Sequence, residues 1–423
     1  MDFPPPALKS WAAERQVSTH MAGTAGTPGT PRVLRAMNDR AALDLLLVHG
    51  PLSRTKIGKL TGLSKPTASQ LLARLEAAGL VLVTGTSEGR PGPGAQLYAV
   101  NPTAAYAAGL DVTPERIHAA VADITGRTVG EYELATPGRR PKGPVVQQVT
   151  DALDGAVKAA GLARADLHRL VIGTPGAFDP GTGRLRYASH LPGWHSPTLL
   201  DELAAALPMP VEYENDVNLV AVAEQRLGAA RGHEDFVLLW NEGGLGAALV
   251  LGGRLHRGWT GGAGEVGFLP VPGAPLVRQV TKANSGGYQE LAGSQAIPHL
   301  AREIGISDIP SGSHAEVAAA LVARAAAEDT VLNRLLLETY ATRLATGLAS
   351  LVSVLDPELV VLSGSSLASG GEVLRALVQA ELEELAAARP RLVVGGVHQH
   401  PVLRGALESA LAATRDEVFD TSR

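Results

Sequence analysis

The chain has 423 residues, 45% of them apolar, enough for two or three domains with sizeable cores, and it has neither an apolar run long enough to span a bilayer nor an apolar N-terminal signal core. It contains no cysteine, which excludes disulfides, thiolate catalysis and cysteine-ligated metal and fits a reducing, cytoplasmic interior. The net charge of −5 is unevenly placed, with 9 Lys and Arg against 4 Asp and Glu in residues 31–100 but 26 against 36 from residue 101 onward, which points to nucleic acid at one end and a different ligand at the other.

Residues 1–30, with Pro4-Pro5-Pro6 and a run of Gly, Thr, Ala and Pro, are too poor in apolar surface to order themselves and read as a disordered tail. Met21 offers a second start. Residues 31–102 read as a winged helix-turn-helix. Ala41, Leu45, Leu46 and Val48 give one apolar helix that His49-Gly50 closes. Ser53 caps a short helix carrying Ile57 and Leu60, and Thr61-Gly62-Leu63 is the turn. Ser64 then caps a third helix with Pro66 in its first turn and Leu71, Leu72 and Leu75 inside, until Gly79 stops it. Ser64, Lys65, Thr67, Ser69 and Gln70 lie opposite those leucines, where base edges are expected, and Lys56, Lys59 and Arg74 are expected on phosphates. Strands over 80–83 and 96–100 flank a loop with Gly89-Arg90-Pro91-Gly92, a wing whose Arg90 suits a narrow minor groove. An ordinary helical hairpin followed by an exposed turn would share the pattern without the local positive charge.

After Asn101-Pro102 the composition changes. Residues 104–112, 116–124 and 129–134 read as three strands, 144–159 as a helix, and 167–172 as a strand ending at Gly173-Thr174-Pro175-Gly176. A helix over 197–207 and a strand over 209–213 lead to Tyr213-Glu214-Asn215-Asp216-Val217-Asn218, which opens a helix over 218–230. Asn215 and Asp216 thus fall where strand becomes helix. The helix dipole is expected to keep the Asp216 carboxylate ionised, and the adjacent amide offers donor and acceptor together, a pair suited to a polyhydroxyl ligand. A helix cap alone is the plainer reading.

A second set follows: strands over 235–240 and 247–251, a glycine-rich stretch over 261–267 holding Glu265, a helix opening at Tyr288-Gln289-Glu290, helices over 313–327 and 330–355, and a strand over 359–362. Two halves, each three strands followed by helices, predict an α/β protein of two lobes with a cleft between them. His398-Gln399-His400 is placed on one face of a strand, as surface histidines without a third metal ligand.

Gly109-Leu110-Asp111, Thr174-Pro175-Gly176, Leu191-Pro192-Gly193-Trp194, Glu214-Asn215-Asp216-Val217-Asn218, Gly262-Ala263-Gly264-Glu265-Val266-Gly267 and Leu355-Asp356-Pro357-Glu358-Leu359-Val360-Val361 occur in the order found in the ROK family of repressors and sugar kinases, which this chain resembles over about residues 35–415. The resemblance implies an actin-like, ribonuclease H-like two-lobed sugar-kinase fold over 103–423. Members with an N-terminal winged helix-turn-helix are transcriptional regulators, so it implies a sugar-responsive repressor of the xylose or N-acetylglucosamine kind. Its partners would be operator DNA, a sugar or sugar derivative, and a second copy in a homodimer or dimer of dimers. It also implies that Asn215, Asp216, Glu265 and Glu290 contact the sugar, that Asp216 stands at the general-base position of the kinases, and that His190 faces the pocket.

Two departures matter. The kinases' Asp-x-Gly-x-Thr turn reads Asp111-Val112-Thr113-Pro114-Glu115, and their Gly-Thr-Gly turn reads Glu242-Gly243-Gly244. Both lose groups that hold phosphate and gain an acid, so neither kinase activity, a catalytic residue nor a cofactor is expected. The family's zinc-ligating His is Phe268 here and residues 269–288 contain no Cys or His, so no metal is expected at that site. The alternatives are a sugar kinase with a DNA-binding appendage and a DNA-binding protein with a vestigial pocket.

Overall fold

The computed structural model describes residues 31–87, 94–136, 143–179, 184–186, 191, 193–278 and 286–421. The tail at 1–30, Arg90 and His190 lie outside them.

The N-terminal module comprises α1 (Pro31–His49), β1 (Leu52–Ser53), α2 (Arg54–Thr61), α3 (Lys65–Ala77), β2 (Val81–Thr86) and β3 (Gln96–Val100). Its strands pair antiparallel in the order β1-β3-β2. The Ser53 hydroxyl accepts from Lys56 N and the Ser64 hydroxyl from Thr67 N, so each helix opens on a side-chain cap. Gly62 closes α2 at φ 71°, a left-handed conformation that lets the chain turn sharply into α3.

The buried stripe of α1 is out of phase with expectation. Asp39, Ala42, Leu43 and Leu46 face inward, while Ala41 and Val48 are exposed. An aspartate in the inward stripe is the reason, since a hydrophobic reading passes over it. Arg74 of α3 donates to Asp39 Oδ1 at 2.7 Å, and that pairing makes the buried acid tolerable.

The larger body begins with β4 (Tyr106–Val112), β5 (Arg116–Asp123), β6 (Thr128–Ala135), α4 (Val145–Ala159), β7 (Leu167–Thr174), β8 (Ala177–Asp179), β9 (Arg184–Arg186), α5 (Leu199–Ala206), β10 (Val211–Asn215) and α6 (Asp216–Leu227). It continues through β11 (Phe236–Asn241), β12 (Leu245–Leu251), β13 (Arg254–Leu255), α7 (Gly287–Ala292), α8 (Ala296–Glu303), α9 (His314–Ala327), α10 (Val331–Leu355), β14 (Leu359–Ser363), α11 (Ser365–Leu385), β15 (Arg391–Val394) and α12 (Pro401–Val418).

Among the described residues the two large sheets run β10-β7-β4-β5-β6 and β15-β14-β11-β12-β13, the same topology twice. In each, three consecutive antiparallel strands are followed by two parallel ones reached through helical crossovers. Parallel strands buried on both faces read as continuous apolar runs, and β14, wholly buried, is Leu-Val-Val-Leu-Ser.

One core holds lobe 1 together (Leu110, Val121, Val149, Leu170, Trp194) and one holds lobe 2 (Leu239, Tyr288, Leu336, Leu344, Leu362). A third joins them, in which α6 and α12 lie between the sheets and bury Leu219, Val220, Leu403 and Ala406 against Val171, Ala120, Phe236 and Val361. The ligand cleft therefore opens beside a shared helical layer, at the carboxyl ends of both sets of strands. Among the described residues no helix is long and apolar enough to cross a membrane.

Candidate functional site

The cleft encloses about 1150 Å³ between the lobes. Lobe 1 contributes residues 111–116, Pro175-Gly176, His195 and Asn215 to Val217, and lobe 2 contributes Trp240, residues 242–247, Gly264-Glu265, Phe268, Gln289 and Ser363 to Ser365. The end of β15 and the start of α12 complete it with His398, His400, Pro401 and Val402.

Asn215 is both cap and wall. The strand runs two residues further and the helix opens two residues earlier than the sequence suggests, so they meet at Asn215, which is the N-cap of α6 and whose Oδ1 accepts from Asn218 N at 3.1 Å. Its Nδ2 donates to the Gly176 carbonyl at 3.0 Å, tying the Thr174-Pro175-Gly176 turn to the helix start. One N–H and one lone pair remain for a ligand. Asp216 opens α6 with Oδ1 accepting from Val217 N at 2.9 Å.

The helix dipole does not hold the Asp216 carboxyl in the usual carboxylate range, contrary to expectation. Burial first, and the neighbouring Asp111 and Glu265 carboxylates next, push its pKa from 3.8 up to about 7, against the hydrogen bond from Val217 N. A rise of that size is on the order of 4 kcal/mol, whereas a helix terminus offers about 0.3–1 kcal/mol, so desolvation wins. Burial raises Glu265 as well. Near neutral pH Asp216 can donate or accept, which suits a ligand hydroxyl. Gly264 sets Glu265 in place: at φ 94° it packs on the Ala247 carbonyl, with no room for a Cβ, and it accepts from Ala247 N at 2.9 Å.

Glu290 does not join them. It is exposed, and among the described residues lining the cleft its neighbour Gln289 takes that place. Gln289 Oε1 accepts from Leu245 N at 2.6 Å and its Nε2 donates to Gln295 Oε1 at 2.7 Å. With consecutive helical residues about 100° apart, holding Gln289 inward turns Glu290 away.

Sequence reasoning also missed His195, which lines the cleft beyond Trp194, and Glu214, whose Oε1 accepts from Asn218 Nδ2 at 2.8 Å. Glu214 Oε2 accepts from Arg257 Nε at 2.7 Å, an ion pair that joins β10 of lobe 1 to the segment after β13 of lobe 2.

Opposite Asn215 and Asp216, two groups of the cleft wall bond to each other. Ser365 N, at the start of α11, donates to Glu242 Oε2 at 2.5 Å. Gly371, non-helical at φ 51°, breaks α11 after its first turns, so it is the short opening segment Ser365 to Gly370 whose leading N–H is taken by an internal carboxylate. Asp111 is buried, which raises its pKa against the opposing pull of Arg116 and His400, and Arg116 is itself drawn to Glu133 at 3.4 Å. His398 and His400 are not on a strand: β15 ends at Val394, and His400 is the left-handed N-cap of α12, its ring 4.6 Å from that of His118. Burial, and then the His400 and Arg116 charges, lower the His118 pKa.

In the N-terminal module Ser64, Lys65, Thr67 and Gln70 are exposed on one side of α3, with Lys56 and Lys59 exposed on α2. Two expected contacts are otherwise engaged. The Ser69 hydroxyl donates to the Lys65 carbonyl and accepts from Arg54, and Arg74 is committed to Asp39. Arg74 is therefore a residue that positions α3.

A winged-helix module on a two-lobed α/β body whose cleft opens at the strand ends defines the class: sugar-kinase-like proteins with a regulatory N-terminal region. The chain belongs to the ROK family, which matches residues 107–413, and residues 37–90 match the MarR family. It is 26% identical to a xylose repressor of Caldicellulosiruptor bescii over 339 residues, 79% of this chain and 84% of that protein. Its fold is similar to a crystal structure of a ROK family transcriptional regulator described as a homologue of E. coli MLC, with a TM-score of 0.70 at 19% identity over 92% of this chain and 98% of that one. A ROK hexokinase from Thermus thermophilus superposes with a TM-score of 0.60 at 29% identity over 74% and 99%. The relatives thus include both a repressor and a kinase.

Proposed function

We propose that this protein is a sugar-responsive transcriptional regulator, a repressor that binds operator DNA through α3 and its wing and senses a sugar or sugar derivative at Asn215, Asp216 and Glu265. The carrying observation is the Glu242 carboxylate on the N-terminus of α11. It puts negative charge and a spent donor where a nucleotide's phosphates would need positive charge and free N–H groups, so the cleft keeps polar groups for a polyol without a seat for ATP. The exposed face of α3 with Lys56, Lys59 and Lys65 nearby supports the DNA half of the reading. One such helix reads about half a turn of major groove, so the functional unit is a homodimer, or a dimer of dimers, on a palindromic site.

A second reading, a sugar kinase with a DNA-binding appendage, draws on one observation: an Asp216 with a pKa of about 7 is suited to take a proton from a hydroxyl. Calorimetry separates the two. Titration of D-xylose, D-glucose and N-acetylglucosamine without nucleotide is expected to give binding for one of them, and AMPPNP alone is expected to give none. AMPPNP binding together with ATP turnover in the presence of that sugar would replace the regulator reading with the kinase.

A further inference from the structure

The DNA-binding module does not close its own core. Phe419, from the far end of the chain, is buried in the cluster that holds Leu43, Leu46, Ile57 and Leu71, and Val418 packs against it. Asp39, whose side chain is 4% exposed, is held from two directions. Arg74 Nη2 of the recognition helix donates to its Oδ1 at 2.7 Å, and the Thr421 hydroxyl donates to its Oδ2 at 3.1 Å. Beside it Arg40 pairs with Asp416 at 2.8 Å and lies over the Phe419 ring, 5.7 Å from its centroid. Residues 416–421 are the last turn and exit of α12.

The first turn of that same helix is cleft wall, formed by His400, Pro401 and Val402. Eighteen residues span about 27 Å at 1.5 Å each. Between its ends α12 is gripped at backbone distance. Gly405 lies on the Leu219 backbone of α6 and Gly109 of β4 lies on Leu407, both too close for a Cβ, while Arg415 Nε donates to the Ile124 carbonyl at 2.9 Å. A helix packed this closely shifts as a body rather than bending.

We propose that α12 is a rigid link that makes the setting of the recognition helix depend on the state of the cleft, with Asp39 as the joint between Thr421 and Arg74. A ligand that repositions the first turn of α12 displaces Phe419 and Thr421, and the acid that orients α3 is displaced with them. By linkage the effect is reciprocal, so loosening the module end must loosen the cleft end. The biological use of the link rests on the regulator reading, but the link itself is testable without DNA or sugar.

Amide hydrogen exchange on the full chain provides that test. Thr421→Val removes one hydrogen bond to a buried acid, and exchange in α1 and α3 should quicken about tenfold. The amides of residues 405–408, which close the first turns of α12 beside the cleft, should quicken about threefold, while α9 and α10 of lobe 2 stay unchanged. Phe419→Ala should enlarge both effects, and if it unfolds the module the Thr421→Val result still decides. In the reverse direction, His400→Gly keeps the left-handed backbone, removes the ring that meets His118, and should change exchange in α3. Quickening confined to the module in Thr421→Val, with an unchanged α3 in His400→Gly, would overturn the link. Its failure leaves the sugar and DNA titrations unaffected, and their failure leaves the link intact.

Discussion

The two sides of the cleft share walls and differ in what they have kept for a ligand. On the side we propose for the sugar, Asn215, Asp216 and Glu265 stand on a strand end, a helix start and a glycine-bounded loop, each with hydrogen-bonding capacity to spare. On the opposite side Glu242 occupies the N-terminus of α11, and Arg116 is drawn toward Asp111 and Glu133. One side is open to a guest and the other is satisfied from within. A family resemblance transfers a fold, while which ligands the cleft takes is decided by the individual side chains that line it.

The largest expected effect breaks the open side. Asp216→Ala should abolish the response of DNA binding to sugar while leaving DNA affinity within about twofold, read by titration with and without sugar. A retained response would remove Asp216 from the ligand site.

The next tests whether the module reads DNA as its exposed face suggests. Gln70→Ala should cost about 1–3 kcal/mol on the preferred operator and relax its sequence preference, whereas Lys56→Ala should weaken all sequences alike and reduce the salt dependence. Equal losses on every sequence for Gln70→Ala would deny it a base contact.

The closed side can be opened. Glu242→Gly frees Ser365 N and removes a negative charge, and AMPPNP affinity should rise about tenfold from the restored helix terminus. Unchanged nucleotide binding would mean that Asp111 to Glu115, not Glu242, excludes phosphate.

Asp216 also sets a pH dependence. Its folded pKa of about 7 lies above the unfolded value near 3.8, so the folded state holds the extra proton between those limits and stability falls as pH rises through that window. Asp216→Asn, which cannot ionise, should therefore melt a few degrees above the parent at pH 8, about 2–4 °C, with the difference vanishing below pH 4. The smallest effect is expected of Arg257→Ala, because its half-exposed pair with Glu214 is worth about 0–1 kcal/mol. Its value is diagnostic, since a shifted sugar affinity without a shifted melting point would make that pair a latch across the cleft.

Much of this was legible in the sequence because it is local. Strand-to-helix junctions, caps at Ser53 and Ser64, and the repeated pattern of three strands and a crossover leave marks within a few residues of one another. What stayed hidden depends on partners far along the chain. Glu242 meets Ser365 across 123 residues, and Asp39 meets Thr421 across 382. The phase of α1 was misread because its inward stripe contains that same aspartate. Glu290 was misplaced by one position of helix rotation, which a motif match does not fix. The charge state of Asp216 depends on how much water its neighbours exclude, and that is set by two lobes closing around it.

The most direct measurement is fluorescence anisotropy of the full chain on the DNA upstream of its own gene, repeated with a panel of sugars and phosphosugars and without ATP. The expected result is saturable binding whose midpoint one sugar moves at least about fivefold, the lower end of ordinary allosteric coupling, with no movement in Asp216→Ala. DNA binding that no sugar shifts, together with sugar-dependent ATP turnover by the same preparation, would contradict the regulator reading.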